Sequence, residues 1–264
     1  MKIAILGAGN LGLSIAKGIL ESEPSFCTSL YLTKRNPTSL QAFAKYPQAK
    51  TGSDNLEAMR HSDIIIVSVQ PGQLVTLLEE IKLEFTEKKL VISTVTGRNI
   101  AVFESVLGTH IPIIRSMPNT ASAVAQSMTC LSANMAAQNK VKLAEAVFKP
   151  IGKTLLIEDE MMQAATVICA SGIAFWMRLI RATTQGAIQL GFDASEAKEL
   201  AVQTCLGAAS LLLESENHPE TEIDKVTTPR GCTIAGLNEM EHAGMSSALI
   251  KGLVKSYEKI NSIK

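Results

Sequence analysis

A glycine-rich turn near the start of the chain has the spacing that a phosphate-binding loop needs. Residues 7–12 read Gly-Ala-Gly-Asn-Leu-Gly, between the short apolar run Lys2–Leu6 and a stretch with helical periodicity, Leu13–Leu20. In this context the first glycine permits a tight turn, the second lets the backbone approach a pyrophosphate, and the third lets helix and strand pack closely. The N–H groups at the start of the helix would face the phosphates, unless the turn binds no ligand. The residues predicted to contact a dinucleotide are Gly7, Gly9, Asn10, Leu11 and Gly12.

The residues after the second predicted strand indicate which dinucleotide is bound. An NAD enzyme places an Asp or Glu roughly 20 residues after the glycines, where it holds the ribose 2′-hydroxyl. This chain instead has Thr33, Lys34, Arg35 and Asn36, which supply two cations, two hydrogen-bonding side chains and no carboxylate. Such a set can receive a 2′-phosphate. The segment therefore favours NADPH over NADH, which it does not exclude, unless Lys34 and Arg35 are ordinary solvated loop charges.

Two further loops end predicted strands, which is where parallel sheets bind ligands. Val67–Pro71 reads Val-Ser-Val-Gln-Pro, and Arg115–Thr120 reads Arg-Ser-Met-Pro-Asn-Thr. Both are predicted to line the path from adenosine to nicotinamide, and the alternative for each is an ordinary proline-containing turn. The cofactor contacts predicted from these loops are Val69, Gln70, Pro71, Met117, Pro118 and Asn119.

Val226–Thr233, which reads Val-Thr-Thr-Pro-Arg-Gly-Cys-Thr, has the composition of an anion-binding helix start. Thr228 followed by Pro229 predicts a helix with a hydroxyl N-cap and proline at its first position. The N–H groups of the next three residues would then be unpaired and suited to a carboxylate, with Gly231 leaving room for it, unless this is a plain capped helix. The Thr233 hydroxyl is expected on the same side, within reach of a nitrogen next to that carboxylate. The residues predicted to bind the substrate are Thr228, Arg230, Gly231, Cys232 and Thr233.

These loops depend on a framework in which strands and helices alternate. Short runs of β-branched and apolar residues predict strands, and segments of helical periodicity lie between them. The alternation predicts an α/β domain over residues 1–159, a Rossmann-type doubly wound sheet covered on both faces. The predicted strands are Lys2–Leu6, Leu30–Thr33, Asp63–Val69, Lys89–Ser93, Ile111–Ser116, Ser127–Ser132 and Lys153–Ile157, and the predicted helices are Leu13–Leu20, Pro37–Tyr46, Gly72–Phe85, Asn99–Leu107 and Ala137–Phe148.

Residues 160–264 are predicted to form an all-α domain that binds the substrate and joins subunits. The middle of its first helix, from Ile168 to Ile180, is apolar on several faces and must therefore be buried. A second copy of the subunit is the expected cover, which predicts a homodimer, and a core helix within one bundle is the alternative. The predicted helices are Met161–Leu190, Ala194–Glu216 and at least one further pair within Thr228–Lys264.

The overall composition argues against several classes of partner. The 264 residues include 25 basic and 25 acidic side chains, whereas nucleic-acid and anionic-membrane binders usually carry a basic excess. The five cysteines show no Cys-x-x-Cys spacing, and the four histidines show no metal-ligand spacing. The first apolar run is too short for a secretory signal, and no segment is expected to be long enough to cross a bilayer. We therefore expect a cytoplasmic protein with free thiols, no metal, and no nucleic-acid or membrane partner.

Several of these segments resemble the pyrroline-5-carboxylate reductase family. Val226–Thr233, followed by Ile-Ala-Gly-Leu, looks like the C-terminal signature of that family, and Arg115–Thr120 is similar to its Met-Pro-Asn-Thr segment. The glycine turn resembles the family's opening, and Gln203–Ala209 matches the helix before the signature. The resemblance runs from end to end. It implies a Rossmann domain followed by a helical dimerisation domain, with dimers often joined into rings.

The resemblance also implies a reaction, the last step of proline biosynthesis. Hydride would pass from NADPH to the C=N carbon of 1-pyrroline-5-carboxylate, giving L-proline. The substrate carboxylate would sit on Thr228–Thr233, with the Thr233 hydroxyl as the catalytic group beside the substrate nitrogen, and Asn119 would lie near the nicotinamide. Because a protonated imine can take its proton from water, such a site needs positioning and charge complementarity more than a strong acid.

The chain departs from the family's pattern at four places, which keeps other functions open. Arg230 stands where the family usually has a second glycine, Gln70 where it often has lysine, and Cys232 where threonine or alanine is commoner; residues 170–174 read Ala-Ser-Gly-Ile-Ala in place of Gly-Ser-Gly-Pro-Ala. A reductase of another cyclic imine and a non-catalytic NADPH-binding paralogue are two alternatives. A β-hydroxyacid dehydrogenase shares the two-domain layout, but it needs a lysine base after Gly172, where this chain offers only Arg178.

Overall fold

The computed structural model, which describes residues 1–23 and 25–262, contains a mixed sheet of eight strands. The strands are β1 (Lys2–Leu6), β2 (Ser29–Thr33), β3 (Ala49–Gly52), β4 (Ile64–Val67), β5 (Leu90–Ser93), β6 (Ile113–Met117), β7 (Ser127–Ala133) and β8 (Gly152–Leu156). Their spatial order is β3-β2-β1-β4-β5-β6-β7-β8. Strands β1 to β6 are parallel, while β7 is antiparallel to β6 and parallel to β8. The order 3-2-1-4-5-6 is that of a doubly wound dinucleotide-binding sheet, so the predicted Rossmann-type fold is confirmed.

The central strands are apolar along their whole length because both of their faces are buried. In β1, Ile3 and Ile5 pack into one core layer, whereas Ala4 and Leu6 pack into the layer on the opposite face. All of these side chains are fully buried. Strand β4 divides its residues between the two layers in the same way. The loops that follow these strands therefore start from firmly packed ends.

Helices cover both faces of the sheet, and several are shorter than the sequence pattern predicted. Pro37–Tyr46 forms a 3-10 helix over Pro37–Phe43 instead of an α-helix. Gly72–Phe85 and Ala137–Phe148 are α-helical only in part and are completed by 3-10 turns, which commonly end or connect helices. The α-helices of this part of the chain are α1 (Asn10–Leu20), α2 (Asn55–Arg60), α3 (Leu74–Ile81), α4 (Ile100–Leu107), α5 (Val141–Phe148) and α6 (Met162–Ala165).

One strand and two α-helices, namely β3, α2 and the later helix Pro219–Val226, were absent from the sequence prediction. β3 reads Ala-Lys-Thr-Gly and lies at the edge of the sheet with none of its residues buried, so it has no apolar run to reveal it. α2 is six residues long, too short for helical periodicity to show. The Asp54 carboxylate accepts the Glu57 backbone N–H (3.0 Å) at its start. This Asp…Glu spacing is close to a capping-box signature and is the one local signal that could have predicted α2.

The chain packs as two compact units, Met1–Ala170 together with the C-terminal end of the last helix, and Ser171–Glu258. The second unit is all-helical, as predicted. Its helices are α7 (Gly172–Gln189), α8 (Ala194–Glu214), α9 (Pro219–Val226), α10 (Cys232–His242) and α11 (Met245–Asn261), the last of which ends in the first unit. The domain boundary expected after residue 159 stays a prediction.

The long helix predicted at Met161–Leu190 is helical along its length but changes type. A 3-10 turn at Asp159–Met161 and α6 lead into a π-helical segment, Thr166–Ser171, which α7 follows. The Thr166 hydroxyl donates to the Met162 carbonyl oxygen (2.7 Å) just before the helix widens. π-helical turns inside α-helices occur frequently at functional sites. The segment is therefore a candidate for a functional role.

The same stretch is also more apolar than expected. Asp159–Gln189 spans 31 residues, and its most apolar 18-residue window has a mean hydropathy of 1.4. By length and composition alone this segment could cross a membrane, so the expectation that no segment is long enough is wrong. Only 17% of that window is buried within the chain. Its apolar side chains thus need a cover that the single chain does not supply.

A buried ion pair ties the middle of β6 to the segment after β8. Arg115 Nη1 donates to Asp159 Oδ1 at 2.6 Å, and the Arg115 side chain is 3% exposed. Asp159 Oδ2 also accepts the Ile100 backbone N–H at the start of α4 (3.3 Å). One carboxylate therefore neutralises a buried cation and caps a helix at the same time.

Removing one partner of this ion pair should destabilise the fold. Arg115→Met leaves the Asp159 carboxylate without its cation, and breaking a buried pair costs about 3 kcal/mol or more. We expect the free energy of unfolding, measured by urea denaturation, to fall by about 3 kcal/mol. This value is at the lower end of the range for buried pairs because the Asp159 side chain is 25% exposed. The control Lys255→Met removes an exposed pair with Glu258 (2.9 Å) and should leave the urea midpoint unchanged. Equal effects of the two variants would contradict the role given to Arg115.

Candidate cofactor and substrate sites

The turn between β1 and α1 has the tight geometry expected of its first and third glycines. Gly7 has φ +85°, and a Cβ there would lie 2.5 Å from Val69 Cγ1 and 2.9 Å from the Ser68 carbonyl oxygen. A Cβ on Gly12 would lie 3.2 Å from Ile5 Cγ2, so a larger side chain would push α1 away from β1. Packing inside the protein therefore requires both glycines before any ligand is considered.

The second glycine, Gly9, differs because the protein leaves space around it. The nearest atom to a Cβ added there is the Gly7 carbonyl oxygen, 3.9 Å away, so close approach of a ligand is the remaining reason for a glycine. The N–H groups of Gly7 and Ala8 both donate to the Thr33 carbonyl oxygen (3.1 and 2.8 Å) and are not free for a phosphate. No side chain caps α1. The N–H groups of its first turn, those of Asn10, Leu11 and Gly12, are therefore the ones available to an anion.

A cleft of about 710 Å³ opens beside this turn, at the carboxyl ends of β1, β2 and β4. It brings together residues from the glycine turn, the end of β2 and the loop after β4. The predicted residues that line it are Gly7, Gly9, Thr33, Lys34, Arg35, Val69 and Gln70. The lining residues that were not predicted are Ser53, Asn55, Ser68, Gly72, Gln73, Thr76, Leu77 and Glu80. This cleft is the candidate cofactor site.

A line of hydrogen bonds runs along one wall of the cleft. Thr33 Oγ1 donates to Asn55 Oδ1 (2.7 Å), and Asn55 Nδ2 donates to Glu80 Oε1 (3.4 Å). Asn55 is the first residue of α2 and Glu80 lies on α3, so only the folded chain brings them to the end of β2. The fold thus places a carboxylate in the same cleft as Lys34 and Arg35. Because Glu80 accepts the Asn55 amide, part of its charge is satisfied within the protein.

Other predicted cofactor residues lie outside the lining of this cleft. Asn36 Oδ1 accepts from the Thr38 backbone N–H (3.1 Å) and from the Thr38 hydroxyl (2.7 Å), so it caps the 3-10 helix that begins at Pro37. Of the neighbouring residues that do line the cleft, Lys34 donates from Nζ to Ser39 Oγ (2.9 Å), whereas Arg35 is exposed. The roles of these residues toward a cofactor stay predictions. The predicted residues outside the lining are Asn10, Leu11, Gly12, Asn36, Pro71, Met117, Pro118 and Asn119.

Asn119 uses its whole side chain to hold the loop after β6 in place. Its Oδ1 accepts the Ala121 backbone N–H (2.9 Å), and its Nδ2 donates to the Cys169 carbonyl oxygen (3.0 Å). Its own backbone N–H donates to Ser127 Oγ (3.0 Å). Asn119 is buried, and so are the two residues before it. The loop is therefore tied directly to the π-helical segment, while its expected place near a nicotinamide stays a prediction.

The helix predicted to start at Thr228 starts several residues later. α9 ends at Val226, and α10 begins at Cys232 with Gly231 as its N-cap. Between them the Gly231 N–H donates to the Thr228 carbonyl oxygen (2.9 Å), which closes a tight turn with Pro229 as its second residue. Proline is common at the second position of such turns. The prediction of Thr228 as N-cap and Pro229 as first helical residue is wrong because this turn precedes the helix.

The turn explains why glycines suit its last two positions. Arg230 has φ +62°, the left-handed conformation that glycine adopts at no steric cost, and it stands where the resembling family usually has glycine. A Cβ on Gly231 would collide with Thr228 Oγ1 and lie 3.0 Å from the Thr228 carbonyl oxygen. The turn alone therefore requires glycine at position 231, in addition to any role toward a ligand.

The later helix start moves the expected anion receptor along the chain. The Gly231 N–H, expected to be free, is used inside the turn. The first-turn N–H groups of α10 are those of Cys232, Thr233 and Ile234, and the N-cap glycine offers them no side chain. Thr233 is the second residue of α10, so its hydroxyl and its N–H lie at the same end of the helix. Its side chain is half-buried. The segment keeps uncapped helix-start N–H groups in a shifted register, and their binding of a carboxylate stays a prediction.

Relieving the left-handed strain at Arg230 should stabilise the protein. An L-residue in this conformation costs about 1 kcal/mol, and the extra freedom of glycine in the unfolded chain offsets part of the gain. We expect Arg230→Gly to raise the free energy of unfolding by about 0.5 kcal/mol in urea denaturation. Gly231→Ala should lower it because of the collision with Thr228. A fall for Arg230→Gly would show that the arginine side chain makes contacts that outweigh the strain.

Large apolar side chains are exposed on the helices of the second unit. Trp176 and Met177 on α7 are 58% and 61% exposed, and Leu206 and Leu211 on α8 are 57% and 59% exposed. Exposed apolar surface that extends over several helices marks an interaction site. The structure therefore supports the expectation that a further subunit covers these helices.

Two family models match separate parts of the chain. Residues 2–97 match the family model described as NADP oxidoreductase coenzyme F420-dependent. Residues 159–263 match the family model for pyrroline-5-carboxylate reductase dimerisation. The second match spans the helices with the exposed apolar surface, and a dimerisation domain supports the protein as an oligomer.

Individual relatives agree over nearly the whole chain. It is 45% identical to pyrroline-5-carboxylate reductase 1 of Dictyostelium discoideum over 99% of the chain, although it spans only 49% of that relative's length. It is 42% identical to pyrroline-5-carboxylate reductase 2 of the same organism, over 97% of the chain and 91% of the relative.

Solved structures agree as well. A pyrroline-5-carboxylate reductase from Coxiella burnetii gives a TM-score of 0.92 at 28% identity, over 98% of this chain and 97% of that one. Pyrroline carboxylate reductase from Plasmodium falciparum, solved with NADP bound, shares the fold with a TM-score of 0.86 at 24% identity, again over 98% and 97% of the two chains. The resemblance predicted from the glycine turn and the C-terminal signature is therefore confirmed along the full chain, which belongs to the pyrroline-5-carboxylate reductase family.

Proposed function

We propose that this protein reduces the C=N bond of 1-pyrroline-5-carboxylate with hydride from NADPH, giving L-proline in the last step of proline biosynthesis. One observation carries the proposal: the chain is 42% identical to pyrroline-5-carboxylate reductase 2 of Dictyostelium discoideum, over 91% of that relative's length. The chain also keeps the segments that the reaction needs, a dinucleotide cleft in the first unit and a carboxylate receptor in the second. The name of that relative is what supports the five-membered imine over other cyclic imines.

The charges of the candidate cofactor site support NADPH. Arg35 is exposed at the cleft and free of the hydrogen bond to Ser39 that occupies Lys34, so its planar guanidinium is the first candidate for the 2′-phosphate. The first turn of α1 would receive the pyrophosphate, because no side chain caps it. Glu80 lies in the same cleft and moderates the preference, so NADH is expected to serve less well rather than to fail.

The substrate carboxylate fits the first turn of α10. Its N–H groups at Cys232, Thr233 and Ile234 lack a capping side chain and carry the positive end of the helix dipole. The Thr233 hydroxyl would orient the imine nitrogen, which can bring its own proton from water. The cofactor supplies the hydride, and the chain supplies position and charge.

The composition of α7 argues against the β-hydroxyacid dehydrogenase alternative. That chemistry needs a neutral amine as base, and α7 contains no lysine between Gly172 and Gln189. Arg178 and Arg181 are its only cations, and a guanidinium stays protonated at physiological pH. Reduction of an imine that arrives protonated needs no such base, so the helix suits the proposed reaction.

We further propose that the dimers of this protein associate into a ring and that it works in the cytoplasm. The family's dimerisation domain supports the dimer, and the resemblance alone supports the ring. The five cysteines lack the spacing of a disulfide framework, which fits a reducing compartment.

The reaction is tested by following NADPH oxidation at the nicotinamide absorbance with purified protein and 1-pyrroline-5-carboxylate. We expect rapid turnover with NADPH, slower turnover with NADH, and proline as the product by mass spectrometry. A six-membered cyclic imine, assayed for reduction, and a panel of β-hydroxyacids, assayed for oxidation, serve as alternative substrates. Cofactor binding without turnover of any imine would contradict the proposal and favour a non-catalytic paralogue.

The variant Arg35→Ala tests whether Arg35 recognises the 2′-phosphate that distinguishes NADPH from NADH. Loss of a charge-assisted hydrogen bond to a phosphate should raise KM for NADPH roughly 10-fold while KM for NADH changes little. The control Lys50→Ala removes an exposed charge on β3, outside the cleft lining, and should change neither constant. An equal rise in both constants would remove Arg35 from phosphate recognition.

Thr233 is tested by separating its hydroxyl from its shape. Thr233→Val keeps the volume and removes the hydrogen bond, so kcat/KM for the imine should fall roughly 10- to 100-fold, with KM for NADPH unchanged. Thr233→Ser keeps the hydroxyl and should retain most of the activity. Unchanged kcat/KM in Thr233→Val would exclude the hydroxyl from the reaction.

A further inference from the structure

Two cysteines that are far apart in the sequence lie together in the fold. Cys130 is on β7, Cys169 is in the π-helical segment, and their sulfur atoms are 3.9 Å apart across a separation of 39 residues. Met117 and Met162 pack around them in a small apolar cluster. Neither thiol has a role in the proposed reduction of the imine. The pair is thus a chemically reactive feature without an assigned use.

We propose that Cys130 and Cys169 are a peroxide-reactive site, at which hydrogen peroxide or an alkyl hydroperoxide oxidises the two thiols to a reversible disulfide. The geometry is close to that of the product. A disulfide needs sulfurs about 2.05 Å apart, so the 3.9 Å separation must shrink by about 1.9 Å. The π-helical segment that carries Cys169 has a widened turn, a natural place for such an adjustment.

The two thiols differ in access, which assigns their roles. Cys130 is 2% exposed, so an oxidant reaches it poorly, whereas Cys169 is half-buried and is the more accessible of the two thiols. The hydrogen-bonding contact with the Cys130 thiol lowers the pKa of the Cys169 thiol to about 7, and burial opposes this shift. The same contact, with burial, raises the pKa of Cys130. Cys169 is therefore the attacking thiolate and Cys130 the resolving thiol.

The chemistry balances with the peroxide as the only oxidant. The Cys169 thiolate attacks one peroxide oxygen, an S–O bond forms, the O–O bond breaks, and hydroxide leaves and takes up a proton to become water. The Cys130 sulfur then attacks the Cys169 sulfur, an S–S bond forms and the S–O bond breaks. The second hydroxide leaves with the Cys130 proton as water. In total, two thiols and one hydrogen peroxide give one disulfide and two water molecules, and the protein sulfurs lose two electrons.

The disulfide would act on the loop after β6 through one hydrogen bond. Asn119 Nδ2 donates to the carbonyl oxygen of Cys169 itself (3.0 Å), so movement of that residue toward β7 changes the position of Asn119. This part of the inference rests on the proposed function, in which the loop borders the nicotinamide. Oxidation should then lower the rate of imine reduction, and reduction by dithiothreitol should restore it.

The site is tested by peptide mapping of the full protein, independently of its activity. The reduced protein is treated with hydrogen peroxide, free thiols are alkylated, and tryptic peptides are analysed by mass spectrometry. We expect a Cys130–Cys169 cross-link, with Cys27, Cys205 and Cys232 alkylated, and loss of the cross-link after dithiothreitol. The control Cys205→Ser, on α8, should form the same cross-link.

The single variants distinguish the two roles. Cys130→Ser should leave a sulfenic acid on Cys169 that dimedone traps, whereas Cys169→Ser should leave Cys130 unoxidised. The inference is overturned if wild-type protein yields no cross-link, or if Cys130 is trapped as the sulfenic acid. A wild-type cross-link without loss of imine reduction would keep the peroxide site and remove its link to Asn119. Absence of imine reduction in the reduced protein would instead count against the proposed function and leave the mapping result standing.

Discussion

The close approach of α1 to β1 governs the architecture of the cofactor cleft. Gly7 turns the chain at a positive φ, two N–H groups of the turn donate to the Thr33 carbonyl oxygen at the end of β2, and Gly12 packs against Ile5. These contacts use the inner hydrogen bonds of the turn within the protein and leave the helix start uncapped. The cleft therefore opens where the parallel strands β1, β2 and β4 end, and the polar residues of α2 and α3 complete its wall.

A second set of contacts ties the far side of the sheet to the helical segment that follows it. The Arg115–Asp159 pair holds the middle of β6 against the segment after β8, and the Asn119 amide donates to the Cys169 carbonyl oxygen. The hydrogen bond from Asn119 couples the loop after β6 directly to the π-helical segment. This coupling is what would let a change at the cysteine pair be felt in the loop after β6.

The parts of the fold that the sequence predicted are those in which burial leaves a regular pattern. β1 and β4 are apolar throughout because both faces pack, and the glycine spacing marks the turn between β1 and α1. β3 was not predicted because an exposed edge strand needs no apolar run. α2 was not predicted because six residues are too few to show helical periodicity. The start of α10 was misplaced because Thr228 and Pro229 suit a turn as well as a helix cap, and the Gly231–Thr228 hydrogen bond decides for the turn.

The residues alone predicted the family, the two-domain layout and the preference for NADPH. They could do so because glycine spacing, strand–helix alternation and the charges at residues 33–36 are local properties of the chain. Only the tertiary structure placed Glu80 in the cofactor cleft, bonded Asn119 to the π-helical segment and brought Cys130 within 3.9 Å of Cys169. Each of these joins residues that are distant along the chain. Their contact depends on how strands and helices pack, and no local pattern of residue types encodes that distance.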